Sequence, residues 1–400
     1  MPRFLPFRGV HYHADRCDPA LVTAPPYDVL DARDRAALAA SDPANVVVVD
    51  LPVDGDDPYA TAGATLQRWL ADGVLVRDDI ASFYVYRMSY TDDTGTSRRT
   101  TGVFGALELS RPGEGGILPH EQTTPKAKSD RLNLLRGTDA NISAVWGLSP
   151  AAGLSDLLSV DGPPIFEWTD DAGVTHDLWI IDDPTRLAAI TTHVAAAPVV
   201  IADGHHRYET SLAYRDEQRE AGRDTPPGSG PEAVLTYLVE LVDDELTVLP
   251  IHRLVSGLPE GFDLRAALSE WFEVGPPISV DAGVTERMAA DGVLVLVTPD
   301  GCWPLEPRPA MFDGVRDLDT SRLDAALATL PPHELVFQHG VDHVIERVHR
   351  GDAQAGVLLR PASVAQIVAI ANGGERMPPK TTFFHPKPRT GVVLRLLDEQ

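Results

Sequence analysis

Apolar and polar positions along this chain follow two different periods and show no internal repeat. Strand-like runs flank the turn-rich segments TDDTGTS and DDAG, which predicts one hairpin from 83–90 and 101–109 and a second from 164–168 and 176–181. Other short apolar runs predict strands at 46–51, 197–201, 234–242, 246–252, 293–297 and 356–359. Amphipathic stretches predict helices at 31–40, 57–71, 205–220, 264–272, 284–290, 321–330 and 363–371. Hairpins mixed with strand–helix units predict an α+β (mixed α/β) fold.

Length and composition indicate a globular protein with more than one packed unit. The chain has 400 residues, and 43% of them are hydrophobic. At roughly 150 residues per domain this length predicts two or three units. We expect an N-terminal α/β region over 1–110, a core over 111–260 and a C-terminal α/β region over 261–400. The two cysteines allow at most one disulfide bond.

The N-terminal sequence and the net charge restrict the partners. The start MPRFLPFRGV lacks the apolar core of a signal peptide, and no stretch approaches the ~20 apolar residues of a membrane span. We therefore expect a cytoplasmic protein without a membrane partner. With 59 acidic and 34 basic residues the net charge is −25, which opposes nucleic-acid binding. A small anion is still an acceptable ligand, because a few local cations and backbone N–H groups can bind it.

The strongest chemical signal is the segment VVIADGHHRYE. Gly204 permits a tight strand-to-helix turn after Asp203, and His205, His206 and Arg207 then open the helix. The N–H groups of a first helical turn and an arginine side chain both bind phosphate oxygens, so this turn predicts a phosphate site. Asp203 is placed to hold a metal ion or to orient a nucleophile. The alternative is that Asp203 is a plain helix N-cap beside surface histidines.

Lysine is scarce, and all four lysines fall in two short segments. The first segment, ILPHEQTTPKAKSDRLNLL, contains His120 and Glu121, followed by Lys126, Lys128 and Arg131. A loop glutamate beside a histidine can serve as a general base, and the following cations can neutralise a polyphosphate. The alternative is a solvated charged loop that leads into a helix.

The second lysine segment is MPPKTTFFHPKPRTG, which contains Lys380, Thr381, Thr382 and His385. Its prolines fix the backbone, so hydrogen-bond donors can be presented to a small carboxylate or phosphate at little cost in ordering entropy. The alternative is a rigid tail packed on the body of the protein. Two weaker signals are the turn at 25–28, which is either structural or part of the pocket, and the pair at 252–253, which either joins the phosphate site or ends a surface strand.

Three motifs in this order are similar to those of archaeal free-serine kinases in the ParB/sulfiredoxin superfamily: PHE at 119–121, DGHHR at 203–207 and PKTT at 379–382. Across nearly its whole length the chain also resembles a widespread, uncharacterised bacterial family with the DGHHR motif. That family shares PYDVL, LPHEQT-PK--DRLNLLR, IADGHHRYET and MPPK(T/S)T-F-PK. The resemblance implies a ParB/sulfiredoxin-like core with large N-terminal and hairpin insertions. His205 stands where sulfiredoxin has its cysteine, so sulfinic acid reduction is not expected.

The resemblance implies a phosphotransferase that phosphorylates the hydroxyl of a small amino acid, with free L-serine giving O-phosphoserine. ATP, ADP or pyrophosphate would be the donor, with Mg²⁺ as cofactor. Glu121 would be the general base, and Asp203 would position the hydroxyl or the Mg²⁺. The implied phosphate- and nucleotide-binding residues are Gly204, His205, His206, Arg207, Lys126, Lys128 and Arg131. The implied substrate-binding residues are His120, Lys380, Thr381, Thr382 and His385.

Two other functions stay open at this point. A metal-dependent phosphohydrolase would use the same His/Asp turn. A ParB-like nucleotide-binding module without catalysis would need a basic helix-turn-helix to act on DNA, and no such pair is found in the sequence. The sequence does not choose among the donors, does not distinguish serine from another small alcohol, and is compatible with an oligomer.

Overall fold

The computed structural model describes residues 1–92, 95–111, 114–119, 126–223, 225–281, 283–373, 378 and 380–398. They divide into two compact units. Unit 1 contains Met1–Leu246 and Pro386–Gln400, and unit 2 contains Thr247–His385. Unit 2 is therefore inserted into the chain of unit 1. None of the helices that are described is both long enough and apolar enough to cross a bilayer.

Unit 1 is built from short helices and a large sheet. Its strands before the insertion are β1 (Phe4–Leu5), β2 (Val10–Tyr12), β3 (Leu75–Arg77), β4 (Phe83–Thr91), β5 (Ser97–Glu108), β6 (Ile117–Pro119), β7 (Ala140–Asn141), β8 (Val145–Ser149), β9 (Phe166–Thr169), β10 (Thr175–Ile181), β11 (Val199–Asp203) and β12 (Ala233–Glu240). Its helices are α1 (Pro19–Val22), α2 (Ala32–Ser41), α3 (Val47–Asp50), α4 (Pro58–Ala71), α5 (Lys126–Thr138), α6 (Leu154–Leu157), α7 (Pro184–Val194) and α8 (His205–Glu220).

The sheet of unit 1 has nine strands in the order β6-β11-β8-β12-β5-β4-β10-β9, with β1 paired to β5 off this path. The pairs β6–β11 and β8–β12 are parallel, and the others are antiparallel. Every residue of β12 is buried, as expected for a central strand covered on both faces. Both predicted hairpins are confirmed, and together with the helices they make a mixed α/β fold.

Unit 2 contains a smaller sheet with helices on both faces. Its strands are β13 (Thr247–Pro250), β14 (His252–Ser256), β15 (Phe272–Val274), β16 (Leu294–Thr298), β17 (Gly301–Pro307), β18 (Glu334–Gln338), β19 (Ala355–Leu358) and β20 (Thr382–His385). Its helices are α9 (Leu264–Leu268), α10 (Val284–Asp291), α11 (Asp319–Leu327), α12 (Val341–His349) and α13 (Val364–Asn372).

Six strands of unit 2 form one antiparallel sheet in the order β15-β17-β16-β19-β14-β18. Successive residues of β16 enter two different apolar clusters, one on each face of the sheet. This double burial explains why β16 is a continuous apolar run rather than an alternating one. β20 pairs with β13 in a separate two-stranded sheet. The chain then returns to unit 1, where β21 (Arg395–Leu396) pairs with β7.

The structure differs from the sequence predictions in two respects that affect the site. The run 46–51, predicted as a strand because of its valines, is instead the short helix α3. The Asn45 side chain accepts a hydrogen bond from the first N–H of this helix, that of Val47 (2.9 Å), and packing on α4 outweighs the β-propensity of valine. The boundary predicted at residue 110 falls within one sheet, because β12 pairs with β5 across it.

Two glycines let α4 and α5 cross at very short range. A Cβ placed on Gly63 would lie 1.9 Å from the carbonyl oxygen of Gly137, and a Cβ on Gly137 would lie 2.4 Å from that of Tyr59. No side chain fits at such distances without movement of the backbone. Since α5 carries Arg131, this crossing fixes where that arginine lies.

We predict that Gly63→Ala destabilises the protein, although alanine is the better helix former by about 1 kcal/mol. The expected loss is about 1–3 kcal/mol in the free energy of unfolding, because the added methyl forces the two helices apart. Urea denaturation of the full chain measures it. Gln67→Ala, on the exposed face of the same helix, is the control, and an equal loss in both variants would contradict the prediction.

Candidate functional site

The predicted phosphate turn joins β11 to α8 in unit 1. β11 ends at Asp203, and α8 begins at His205, so Gly204 is the helix N-cap. Gly204 has a φ of +86°, a left-handed conformation that glycine adopts readily and other residues rarely do. It has no side chain to cap the helix, so the first-turn N–H groups and the positive end of the helix dipole are not covered by a capping side chain.

Asp203 does not cap the helix but binds two cations. Its Oδ1 accepts a hydrogen bond from Lys387 Nζ at 2.5 Å, and its Oδ2 accepts one from Arg207 Nη2 at 2.8 Å. Burial alone would raise the pKa of Asp203, but Lys387 and Arg207 outweigh it, so the pKa lies well below the ordinary value. The carboxylate is therefore charged at neutral pH, and the three side chains carry a net positive charge.

Arg207 has one buried hydrogen-bond donor without an acceptor among the described residues. Its Nη1 donates to the Ala144 carbonyl oxygen and its Nη2 to Asp203, whereas its buried Nε has no hydrogen-bond partner among the described residues. A Cβ built on Gly204 would lie 2.9 Å from this Nε. The missing side chain of Gly204 thus lets this guanidinium, with its unsatisfied Nε, pack against the backbone of the turn. A buried donor without an acceptor is costly, and an anion at this turn would satisfy it.

A second arginine, Arg131, contacts the same aromatic ring as Arg207. The ring of Tyr27 has the guanidinium of Arg131 at 4.2 Å and that of Arg207 at 6.0 Å from its centre. Arg131 is buried and donates to Asp50 Oδ1 at 2.9 Å, to the Asp50 carbonyl at 2.8 Å and to Asp130 Oδ2 at 2.8 Å. These contacts favour a structural role for Arg131. Its predicted phosphate role stays a prediction.

The segment that carries Lys387 is clamped from two sides. Arg389 donates from Nε to Thr23 Oγ1 at 2.9 Å and from Nη1 to Asp170 Oδ2 at 3.1 Å. The next residue, Thr390, forms a two-way backbone bridge with Ala24. The chain just before PYDVL and the β9–β10 hairpin therefore both fix the backbone two residues beyond Lys387.

A buried relay supports this clamp. His176 Nε2 lies 3.1 Å from Asp170 Oδ2 and its Nδ1 lies 2.7 Å from the Tyr86 hydroxyl. Because a carboxylate only accepts, Nε2 carries the proton and Nδ1 accepts from Tyr86. The Tyr86 oxygen in turn accepts from the Arg389 backbone N–H at 3.4 Å. Burial lowers the pKa of His176 to about 4, against the opposing effect of Asp170, so the imidazole is neutral at physiological pH.

The structure places the predicted site residues in three groups. Asp203, Gly204, His205, His206 and Arg207 lie together at the β11–α8 turn, as predicted. His120 and Glu121 fall outside the described residues, and so do the side chains of Lys126 and Lys128, which begin α5. Lys380, Thr381, Thr382 and His385 belong to unit 2. Their predicted role in substrate binding is untested.

The unit 2 group is well ordered by its own contacts. Lys380 has a φ of +58°, and its carbonyl accepts a hydrogen bond from Arg253 Nη2 at 3.1 Å. Thr381 Oγ1 donates to the Pro378 carbonyl at 2.7 Å. Thr382 and His385 open and close β20, which pairs with β13. The pair at 252–253 therefore lies in unit 2 as the start of β14, with both side chains buried.

A protein-built magnesium site does not fit the described residues. The two oxygens of Asp203 already accept from Lys387 and Arg207. Across the described part of the chain, no group of three His, Cys, Asp or Glu side chains is arranged to hold a metal. Mg²⁺ prefers carboxylates or phosphate oxygens as ligands, and the described side chains do not offer it such a set.

Two residues of the site, Lys387 and Arg389, were given no role by the sequence predictions, and a third, Tyr27, lies in the turn at 25–28 that was left open as structural or part of the pocket. Lys387 and Tyr27 reach the turn from distant parts of the chain, and Arg389 anchors the segment that carries Lys387 through its bond to Asp170. For Lys387 the scarcity of lysine was a usable signal, because this fourth lysine of the chain forms an ion pair with Asp203 of the DGHHR motif. Nothing in the pattern around Arg389 indicated its contacts.

A family model described as "protein of unknown function (DUF1015)" matches residues 4–321. No curated protein matches the sequence. Among solved structures, a free serine kinase in complex with AMP is similar at 14% identity and a TM-score of 0.37, covering 71% of this chain and 86% of that one. SbnI from Staphylococcus aureus, truncated at its C-terminus, is similar at 13% identity and a TM-score of 0.40, covering 74% and 89%.

A conserved hypothetical protein from Pyrococcus furiosus is similar at 13% identity and a TM-score of 0.36, covering 71% of this chain and 90% of that one. At these identities and TM-scores the likenesses carry no argument about chemistry. The ParB/sulfiredoxin-like core therefore stays a prediction, and the residues of this chain must support any function assigned to it.

We predict that His176 makes stability depend on pH. The unfolded chain binds a proton at this histidine near pH 6.5, whereas the folded protein does so only near pH 4. Its contribution is therefore complete above pH 6.5 and is lost as the pH falls toward 4, at up to about 1.4 kcal/mol per pH unit. Urea denaturation at several pH values between 7.5 and 4 measures the free energy of unfolding. We expect this free energy to fall less steeply with decreasing pH in His176→Gln than in the unaltered protein. Identical slopes for both proteins would contradict the prediction.

Proposed function

The chain belongs to the DUF1015 family, and we propose that this member is a phosphotransferase whose Asp203 turn binds the phosphate donor and whose acceptor is the hydroxyl of free L-serine. The observation that carries the proposal is the buried Nε of Arg207, which has no acceptor in the described part of the chain and lies against Gly204 at the start of α8. A helix N-terminus, a guanidinium and the Lys387 ammonium come together at this turn. Transfer of a phosphoryl group depends mainly on such positioning and charge neutralisation.

Glu121 is the base in this proposal, and the sheet register supports its placement. β6 runs parallel to β11, and its last residue, Pro119, is paired with Ile201. Glu121 follows Pro119 by two residues, and two residues span at most about 7 Å. The chain can therefore carry the carboxylate toward the end of β11, where Asp203 lies. Parallel neighbouring strands deliver their following residues to the same edge of a sheet.

The proposed step is a phosphoryl transfer, which needs no oxidant or reductant. Glu121 takes the proton of the serine hydroxyl, and the serine oxygen forms a bond to the terminal phosphorus of the donor. The bond from that phosphorus to its bridging oxygen breaks, and the shortened donor leaves with the electron pair. O-phosphoserine is the product. Lys387 and Arg207 neutralise the charge on the phosphoryl oxygens, and Asp203 holds both cations in place.

The other predicted roles enter this proposal as follows. Lys126, Lys128, His205 and His206 add positive charge or hydrogen-bond donors on the donor side. Lys380, Thr381, Thr382, His385 and His120 bind the amino acid. ATP, ADP and pyrophosphate all present a terminal phosphoryl group to the same turn. Mg²⁺ would arrive with the donor, bound to its phosphates, since the described residues do not form a cage for it.

Phosphorus NMR tests the proposal directly. Purified full-length protein is incubated with Mg²⁺, L-serine and one donor at a time, chosen from ATP, ADP, pyrophosphate and polyphosphate. We expect O-phosphoserine from at least one donor. Release of inorganic phosphate without phosphoserine would favour a phosphohydrolase, and donor binding without turnover would favour a nucleotide-binding module. Either result would overturn the proposal that L-serine is the acceptor.

We predict that Glu121→Gln lowers turnover by about 10²–10⁴ while donor affinity is kept, because glutamine cannot accept the hydroxyl proton. Steady-state rates and donor titration by calorimetry measure the two quantities. Glu114→Gln, at an exposed carboxylate close by in the sequence, is the matched control. An equal loss of turnover in the control would argue against a specific base at residue 121.

We predict that Lys387→Met lowers turnover by about 10²–10³ and weakens donor binding. Without the ammonium, Arg207 alone must neutralise both the Asp203 carboxylate and the phosphate of the donor. Lys387→Arg keeps the charge and should recover part of the activity, which separates lost charge from lost packing. Arg111→Met, which removes a cation from an exposed pair with Asp216, is the control. Unchanged donor affinity in Lys387→Met would remove this lysine from the phosphate site.

A further inference from the structure

The six-stranded sheet of unit 2 ends at β18, an edge strand that pairs with β14 on one side only in the described part of the chain. Edge strands of soluble proteins are usually protected by charged side chains, prolines or bulges, because their outer N–H and C=O groups can pair with another chain. β18 contains three consecutive apolar residues, Leu335, Val336 and Phe337, and a single charged residue, Glu334, at its start. The centre of this edge therefore lacks the usual protection.

Two apolar side chains at the centre of β18 are exposed. Val336 is 40% exposed and Phe337 is 44% exposed. Among the exposed large hydrophobic residues in the described part of the chain, these are the only two that lie in a β-strand and the only two that are adjacent in sequence. Successive side chains of a strand point to opposite faces, so the sheet edge is apolar on both faces. Apolar surface at an unpaired strand edge is typical of a protein–protein contact.

The pairing with β14 shows which face each residue of β18 occupies. Val336 is paired with Leu254, a member of the apolar cluster that contains residues of α10 and α12. Because side chains alternate, Glu334 and Gln338 also lie on this face, and the other two residues of the strand lie on the opposite face. Arg347 on α12 donates from Nη1 to Gln338 Oε1 at 3.2 Å. Arg347 forms no ion pair with an acid among the residues that the structure describes.

The residues of β18 form a pattern that is complementary to itself. In an antiparallel pair of two β18 strands centred on Val336, residues equally far from the centre face each other. Leu335 of one copy then meets Phe337 of the other, and the two Val336 side chains meet at the centre, which covers the exposed apolar surface. Glu334 meets Gln338, whose side chain is bonded to the arginine on α12. The carboxylate thus approaches a guanidinium that no described acid neutralises, and no like charges face each other within the pair.

Other centres of symmetry do not match polarity in this way. A pair centred on Leu335 would place Glu334 against Val336, so a carboxylate would face an apolar side chain. A pair centred on Phe337 would place Leu335 against His339, whose ring already packs on Phe383 with 4.2 Å between the ring centres. Apolar and polar residues therefore match only when the pair is centred on Val336.

We propose that β18 is a homodimer interface and that it pairs with β18 of a second copy of this chain. The sheets of the two copies then continue into one sheet of twice as many strands, about a two-fold axis at Val336. Backbone hydrogen bonds supply the association, and the alternating side chains supply its specificity. Because a five-residue strand buries a small interface, we expect a reversible dimer of micromolar affinity. The contact lies within unit 2 and goes beyond the proposed function of the Asp203 turn, which belongs to unit 1.

Sedimentation velocity of the full-length protein tests this interface. We expect a reversible monomer–dimer equilibrium as the concentration is raised from roughly 1 to 200 μM, a range that brackets micromolar affinity. Amide exchange measured at the two ends of this range should become slower in β18 as the dimer forms, because its outer N–H groups are then bonded. A monomer at every concentration would overturn the proposal and leave β18 to a partner of another kind. A dimer that leaves amide exchange in β18 unchanged would also overturn it.

Charged residues at the centre of the pair test its register. Val336→Lys places two ammonium groups opposite each other and should weaken the dimer at least about 10-fold, as should Val336→Glu with two carboxylates. An equimolar mixture of the two variants should recover the dimer, because lysine then faces glutamate, and this recovery would also show that both variants fold. Val53→Lys, at an exposed valine of unit 1, is the matched control and should associate normally. Undiminished association in Val336→Lys, a mixture that stays monomeric, or an equal loss in Val53→Lys would refute the assignment.

Discussion

The ion pair between Asp203 and Lys387 is the contact on which the arrangement of the candidate site depends. It joins residues that are 184 positions apart, and both side chains are largely removed from water, at 22% and 12% exposure. Desolvating two charges is expensive and is repaid only when the geometry is good and the remaining lone pairs are used. Here the second carboxylate oxygen binds Arg207, so the aspartate is fully engaged and the cluster keeps one positive charge in excess.

That excess charge is notable in a chain with a net charge of −25. Toward the C-terminal end of α8 arginines are paired with acids, as the pairs Arg136–Glu217, Arg219–Glu232 and Arg111–Asp216 show. The C-terminal part of α8 is therefore salt-bridged, whereas the cluster of Asp203, Arg207 and Lys387 at its N-terminus has one cation in excess. Screening limits the electrostatic field of surface charges to about 8 Å at physiological ionic strength. A small phosphate compound at the turn is therefore influenced mainly by the local cations. An extended polyanion would be repelled by many acidic groups along the surface.

Local sequence predicted what local interactions determine. The helix predicted at 205–220 is α8, and the two hairpins were found because turn residues and alternating apolar residues lie next to each other in the chain. The valine run at 46–51 was misjudged because its conformation is decided by Asn45 and α4 rather than by valine itself. Within the site, the contiguous DGHHR turn was predictable. The contacts of Tyr27 with Arg207 and of Arg389 with Asp170 were not, because only the completed fold of unit 1 brings these residues together.

The clamp on Arg389 gives a physical reason for the N-terminal region and the hairpin, whose purpose the motifs alone do not explain. Lys387 lies between Pro386 and Pro388, so its neighbours have fixed φ angles, and the segment can hold one defined path if its end is anchored. Thr23, from the N-terminal region, and Asp170, from the β9–β10 turn, provide that anchor through Arg389. Asp170 is itself held by the neutral His176, which is in turn bonded to Tyr86. A lysine on a flexible tail would lose about 2 kcal/mol of rotamer entropy on docking in addition to the backbone cost. Anchoring the backbone two residues away removes most of that backbone cost beforehand, so the ammonium is already in place when an anion binds.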